Sequence, residues 1–209
     1  MKIYLGFTGN KQVAEWMRKY DCGWGFNPTN YSKNFREQFF LDNGCFTAYK
    51  NATPWDEVAF YDYLRDFTSY KPDFTVIPDK VACGMDSFDF SIKHMNRIPH
   101  PRYLAVQDGM WSNCIHKYLL ENGKTFDGIF VGGTVPWKLS TAKMWTDTAH
   151  GHGLKCHVGR IGTFQGYALC NSYGVDSVDG TNPSRNNNER PLMMFKEQSN
   201  VYDWMDVSE

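Results

Sequence analysis

Asp179 stands in Gly174-Val175-Asp176-Ser177-Val178-Asp179-Gly180-Thr181-Asn182-Pro183-Ser184-Arg185, where a short apolar strand ends on a carboxylate and enters a loop punctuated by glycine and proline. Asp42, in Phe39-Phe40-Leu41-Asp42-Asn43-Gly44, and Asp79, in Phe74-Thr75-Val76-Ile77-Pro78-Asp79, repeat the arrangement. An isolated Asp179-Gly180 would read as a turn. Three such strand ends, joined by Gln107, Gly128 and Gly159 at comparable transitions, predict one mouth lined by acids. The C-terminal ends of parallel strands are where such groups do chemistry. Grouped carboxylates can attack an electrophilic carbon and can hold or move protons.

The elements that must position these residues alternate. Lys2 to Phe7 reads as a strand, and the stretch after Asp42 cycles between short β-rich runs and amphipathic helices. Thr53, Pro54 and Asp56 predict a helix start, with Val58, Tyr61, Leu64 and Phe67 as its buried stripe. Strands are predicted at 74–77, 102–106, 128–131, 155–158 and 175–178, and helices at 87–96, from Ser112 to Gly123, at 139–150 and at 163–172. With Phe39–Leu41 this makes about seven strands. A single-domain TIM-like (β/α) barrel over residues 1–209, compact or short of the eight-strand ideal, accounts for the order best; a doubly wound open sheet is the alternative. Residues 8–36 and the tail after Asn186 carry the weakest pattern.

Composition narrows the function classes. The 209 residues carry a formal charge of -1, which excludes a global electrostatic footprint for nucleic acid and leaves a local patch as the requirement. Lys2, Lys11, Arg18, Lys19, Lys33 and Arg36 make the first forty residues locally basic. Six cysteines without a CxxC pair or a secretory signal point to reduced thiols in a cytoplasm, the host's if the protein is viral. No apolar run approaches the roughly 20 residues of a membrane span, so no membrane partner is expected. No sequence feature specifies an oligomeric state.

From about Phe39 to Asn186 the residues resemble the tRNA-guanine transglycosylases and their DNA-acting relatives, the DpdA-type 7-deazaguanine transglycosylases. Gly174 to Arg185 is similar to the family's Gly-x-Asp-x-x-Asp-x-x-x-Pro-Thr-Arg segment, whose second aspartate is the nucleophile, here Asp179. Asp42-Asn43-Gly44-Cys45-Phe46 resembles the Asp-Ser-Gly-Gly-aromatic segment, which implies an acid-base role for Asp42 and base stacking for Phe46. Val106-Gln107-Asp108-Gly109 resembles the base-reading Gln-Gly strand end. Gly128 to Gly133 is similar to the Gly-Leu-Ala-Val-Gly-Glu segment, which assigns the Gly128 backbone to the purine ring, with Gly133 where a glutamate is usual. Asp79 matches by order the aspartate that holds the guanine edge, although the Asp-x-Cys pattern reads Asp79-Lys80-Val81. The tRNA-acting members carry a Cys/Cys/Cys/His zinc site beyond the arginine, and no cysteine or histidine follows Arg185. The resemblance therefore implies no zinc or other cofactor, and leans toward the compact DNA-acting branch, common in phages, which replaces guanine with a deazaguanine such as preQ0.

What the resemblance implies can be stated as chemistry. Exchanging a base with retained anomeric configuration takes two inversions, and hence a covalent sugar ester on a carboxylate. Asp179 would attack C1′, Asp42 with a raised pKa would protonate the departing purine and deprotonate the incoming base, and Asp79 and Gln107 would read the guanine edge. The target nucleotide must be flipped or single-stranded, at a cost of a few kcal/mol. Arg160 and Arg185, helped by Lys80 and Arg190, are the candidates for gripping phosphates. His150, His152 and His157 lack a third ligand for a metal. Cys45 has no histidine partner in sequence, and the other cysteines read as core. Two further readings stay open: action on tRNA, and a non-catalytic nucleic-acid-binding barrel that assists a partner enzyme. Resolution of the ester by water would make a hydrolytic glycosylase.

Overall fold

The computed structural model describes the backbone of residues 1–205 and the side chains of residues 1–198. In chain order its elements are β1 (Lys2–Gly6), α1 (Lys11–Lys19), β2 (Gly23–Phe26), β3 (Phe39–Leu41), α2 (Cys45–Lys50), α3 (Glu57–Asp66), β4 (Thr75–Val76), α4 (Met85–Met95), β5 (Arg102–Val106), α5 (Ser112–Asn122), β6 (Gly128–Val131), α6 (Val135–Gly151), β7 (Lys155–Val158), α7 (Phe164–Ser172), β8 (Ser177–Gly180), α8 (Asn182–Arg185) and α9 (Arg190–Met205). Each strand pairs in parallel with the next, and β8 pairs with β1 through Lys2 and Ser177, Ile3 and Val178, Tyr4 and Asp179, and Leu5 and Gly180. The sheet is a closed eight-stranded barrel, which excludes the open doubly wound alternative. Among the described residues no helix is long and apolar enough to cross a membrane.

The strand absent from the sequence reading is β2, Gly-Trp-Gly-Phe. Two glycines in four residues weaken a strand signal, and only the closed barrel supplies the reason for them. Side chains alternate across the sheet. Trp24 and Phe26 point outward into the main core under the helices, while Gly23 and Gly25 face inward where the rings of Tyr4 and Phe40 fill the space. The same parity puts Phe40, Phe74, Val76, Tyr103, Ala105 and Phe130 inside. Phe74 stacks on Phe40 at 4.8 Å and on Tyr103 at 4.0 Å, so the interior toward the N-terminal end is a packed aromatic plug. Barrel interiors are filled in layers of this kind.

Gly128 belongs to that plug. It opens β6 opposite Tyr103 and Lys155, at the end of the barrel remote from the strand-end acids, and a Cβ there would lie 2.5 Å from the Tyr103 ring. The backbone contact to a purine expected of it is therefore corrected. Gly128 makes room for an aromatic ring about 13 Å down the strand from Gly132, at the usual rise per residue. Because Phe74 holds Tyr103 from the other side, Gly128→Ala is expected to destabilise the barrel by roughly 1–3 kcal/mol through overpacking, measured as a lower midpoint of thermal unfolding.

Helix boundaries shift where a better cap competes. Asp56, whose carboxylate accepts from the Ala59 N–H, starts α3, while the Thr53 hydroxyl bonds back to the Ala48 carbonyl. The buried stripe is accordingly Phe60, Tyr63, Leu64 and Phe67. Val58 is 71% exposed and Tyr61 half-buried, contrary to the sequence expectation. Helix α6 begins at Val135, four residues earlier than expected, with Pro136 in its first turn where the missing N–H costs nothing. Cys83 and Cys114 are exposed rather than core; Cys22, Cys156 and Cys170 are buried as expected, and Cys45 beside the site is buried as well.

Candidate functional site

Above the plug, at the C-terminal ends of the strands, a cavity of about 870 Å³ opens. Its apolar floor is Phe40, Val76, Ala105 and Phe130, and its walls carry Asp42, Asp79, Gln107 and Asp179. An apolar base with a few convergent polar groups is the usual composition of a small-molecule site. Of the residues expected from the sequence, Asp42, Phe46, Asp79, Gln107, Arg160, Asp179 and Arg185 all line this cavity. Gly128, Gly159, Lys80 and Arg190 do not. Lys80 turns outward, its ammonium 5.4 Å from the Phe90 ring on α4, so the expectation that it grips a phosphate at the mouth is corrected: the neighbouring aromatic face attracts the cation. Gly132 and Gly133, at the opposite end of the strand from Gly128, line the cavity in its place.

Asp179 is an inward-facing residue of β8 with its side chain 17% exposed. Its Oδ1 accepts from the Arg160 backbone N–H at 3.2 Å and lies 3.0 Å from His157 Nε2. Arg160 reaches this position in the left-handed region, φ 57°, which is strained for a residue with a side chain. Its guanidinium crosses the mouth, 4.0 Å from the centroid of Phe46 and hydrogen-bonded to the Gly133 carbonyl. Phe46, 38% exposed on α2, therefore has one ring face covered by the arginine. Beneath the same turn the fully buried Lys138 of α6 donates to the Gly159 carbonyl, and burial pushes its ammonium down to about 8.

Asp42 follows β3 and accepts from the Gly44 N–H at 2.7 Å. Removal from water raises its carboxyl to about 7; the charges of Asp179 and Asp79 add to the rise, against the Gly44 bond and Arg160. Asp79 is raised to about 6, again chiefly by burial, against hydrogen bonds from Asn43 and Cys45. Burial beside these two acids pushes the Cys45 thiol far up, so it is held protonated and is no thiolate nucleophile. Perturbed carboxylates converging on a cleft are the signature of a functional site.

Asp79 and Gln107 are braced by residues to which the sequence assigned no role, Asn43 and Ser87. Asn43, 3% exposed, donates from Nδ2 to the Ile77 carbonyl and to Asp79 Oδ1 at 2.8 Å, tying the ends of β3 and β4 together. The Gln107 amide donates to the Lys80 carbonyl and Ser87 Oγ, both at 2.7 Å, and more weakly to Asp79 Oδ2 at 3.3 Å. It accepts from the Ala82 N–H. Gln107 thus faces the cavity with its amide engaged by the chain, and it orients Asp79 and the loop at Val81 and Ala82. Asp108 accepts from the Thr134 N–H and hydroxyl, both at 2.7 Å, which closes the β5 loop onto the β6 loop. An Asp-Asn pair after a strand was the available signal for Asn43.

The histidines separate. His150 pairs with Asp176 at 2.9 Å, His152 with His116 at 2.8 Å, and His157 lies inside the barrel. Among the described residues no group of three or more His, Cys, Asp or Glu is spaced to hold a metal ion. No protein-family model and no curated protein matches the chain.

Proposed function

We propose that this barrel is a base-exchanging transglycosylase that replaces guanine in DNA with a 7-deazaguanine of the preQ0 type through a covalent Asp179 glycosyl ester. The observation that carries the reading is the convergence of Asp179, Asp42 and Asp79 on one cavity, with Asp42 raised to about 7. In the first step a lone pair of Asp179 Oδ2 forms the bond to C1′. The C1′–N9 bond breaks with its electrons moving onto guanine, and protonated Asp42 supplies the proton that neutralises it. In the second step Asp42 takes a proton from the incoming deazaguanine, whose nitrogen attacks C1′ and releases the Asp179 carboxylate. A carboxyl poised near neutrality serves both steps, because it gives and accepts a proton at similar cost.

The flat base fits the apolar floor of Phe40, Val76, Ala105 and Phe130, with Asp79 at its polar edge and the Gly132-Gly133 backbone beside it. Arg185 is exposed on α8 and lines the cavity, which supports its proposed role in gripping a phosphate of the strand. Arg185→Ala is expected to weaken DNA binding evenly across sequences and to reduce the slope of log affinity against log salt by about one; salt-titrated fluorescence anisotropy measures both.

The reading is tested by incubating the protein with guanine-containing DNA, tRNA and preQ0, then analysing the nucleosides of each polymer by mass spectrometry. Deazaguanosine in DNA supports it. Deazaguanosine in tRNA alone keeps the chemistry and changes the polymer, release of guanine without added base makes the protein a glycosylase, and modification of neither overturns the enzymatic reading.

A further inference from the structure

His157 is a buried titratable side chain that the proposed chemistry leaves unused. It is fully buried on the inner face of β7, enclosed by aromatic rings from four directions. Phe130 stacks on it at 4.8 Å, and Phe74, Phe40 and Tyr4 lie at 5.1, 5.3 and 6.0 Å. Its two nitrogens have one polar neighbour each, both from β8: Nδ1 is 2.8 Å from Ser177 Oγ and Nε2 is 3.0 Å from Asp179 Oδ1. Ser177 and Asp179 are two apart on one strand, and His157 is register partner to Ser177 on the next. The ring is thus suspended along the inner face of β8.

We propose that His157 is the positioning residue for the carboxylate of Asp179, locked by Ser177 into the tautomer that donates from Nε2 to Oδ1 and leaves Oδ2 as the attacking oxygen. This rests on Asp179 being the nucleophile. The direction of the chain follows from what each group can do. An ionised carboxylate only accepts, so the proton of this bond sits on Nε2; a neutral imidazole then accepts at Nδ1, and the Ser177 hydroxyl must donate. The aromatic enclosure favours the neutral ring by keeping water away, and burial does hold the His157 pKa below its ordinary value, against the opposing influence of Asp179. The Arg160 N–H shares Oδ1, and Oδ2 has no hydrogen-bond partner among the described residues. Two donors on one oxygen fix the rotation of the carboxylate about its own axis, which is how a nucleophile is held in a near-attack orientation. In the ester, Oδ1 becomes the carbonyl oxygen, and the same donors stabilise the negative charge that returns to it when the ester breaks. Among the described residues Asp179 has no further side-chain hydrogen bond.

Two measurements on the full chain test the proposal. In protein labelled with ¹⁵N-histidine, His157 is expected to show a protonated Nε2 and an unprotonated Nδ1; the opposite tautomer overturns the proposal whether or not the protein is an enzyme. In exchange kinetics, His157→Leu, which keeps the pocket apolar and cannot donate, is expected to lower kcat at least about tenfold, the scale of lost outer hydrogen bonds to a reactive group, with KM changed less than about threefold. His157→Gln, which can place an N–H near the same point, is expected to recover most of kcat. A folded His157→Leu with wild-type kcat, or a folded His157→Gln as impaired as His157→Leu, overturns it. Should His157→Leu not fold, His157→Gln and the tautomer decide. A wild-type protein that exchanges no base on either polymer refutes the transglycosylase reading instead, and the tautomer then decides the placement of Asp179 by itself.

Discussion

Asp179→Asn is expected to eliminate base exchange, by about 10⁴-fold or more, because an amide cannot form the covalent glycosyl ester. The fold should scarcely register the change. Asparagine is nearly isosteric, and its amide oxygen can accept from both the Arg160 N–H and His157 Nε2, the two donors that engage Oδ1 in the wild type. The strand pairing of β8 is backbone and stays intact. Nucleoside mass spectrometry of DNA incubated with preQ0 gives the activity, and a thermal melt gives the stability. A denaturing gel adds a direct reading, since a DNA-protein adduct trapped with wild type should be absent from the variant. Wild-type exchange by a folded Asp179→Asn would sink the mechanism.

The second large effect is expected at Asp42, where activity and stability should move in opposite directions. Asp42→Asn removes the group that gives and takes the proton, and single-turnover guanine release is expected to fall by roughly 10²- to 10⁴-fold. For the wild type, release should decline as pH rises through about 7, where the acid form of Asp42 is lost. The same shift acts on folding. Asp42 is raised from 3.8 to about 7 in the folded protein, so the fold favours its neutral form. That stabilisation is fully present below the unfolded pKa near 4 and is lost as pH rises through about 7. Asp79, raised to about 6, adds a contribution of the same sign that is lost somewhat earlier. The protein should therefore be less stable at pH 8 than at pH 5 on account of these two acids. Asp42→Asn should be the more stable protein at pH 8, by an amount on the order of a few kcal/mol at most, and should flatten the pH dependence. Thermal melts from pH 5 to 8 measure both. A variant that is less stable at pH 8 would show that Asp42 is held in its charged form. Such an exchange of stability for function is common at sites built to shift a pKa.

Much of this site could be read from local sequence because its residues sit where a strand gives way to a loop, and that transition is written in neighbouring residues. Asp42, Asp79 and Gln107 each follow an apolar run of three or four residues, and Asp179 follows Val178 just before a glycine loop; a parallel barrel delivers such positions to one end. Gly128 was misplaced because a glycine at the start of a strand and one at its end look alike in a short apolar segment. Only the pairing of Gly128 with Tyr103 and Lys155 shows which end it occupies. Lys80 was misplaced for a related reason, since a position next to Asp79 does not specify which way the chain turns, and Phe90 on α4 attracts the ammonium. Strand β2 escaped notice because its glycines answer to rings of Tyr4 and Phe40, which come from the flanking strands β1 and β3.

The sequence by itself determined the alternation of strands and helices, the parallel sheet and the acids at its strand ends, because these follow from periodicity and from residue types within a few positions of one another. The tertiary structure decided the rest: that the sheet closes on an eighth strand, that Asn43 and Gln107 brace Asp79, that Arg160 lies across the mouth on Phe46, and that His157 faces Asp179 from within. Each of these depends on inward or outward parity and on register between strands far apart in the chain. A shift of one residue would turn His157 out of the barrel and leave the composition and the local pattern unchanged.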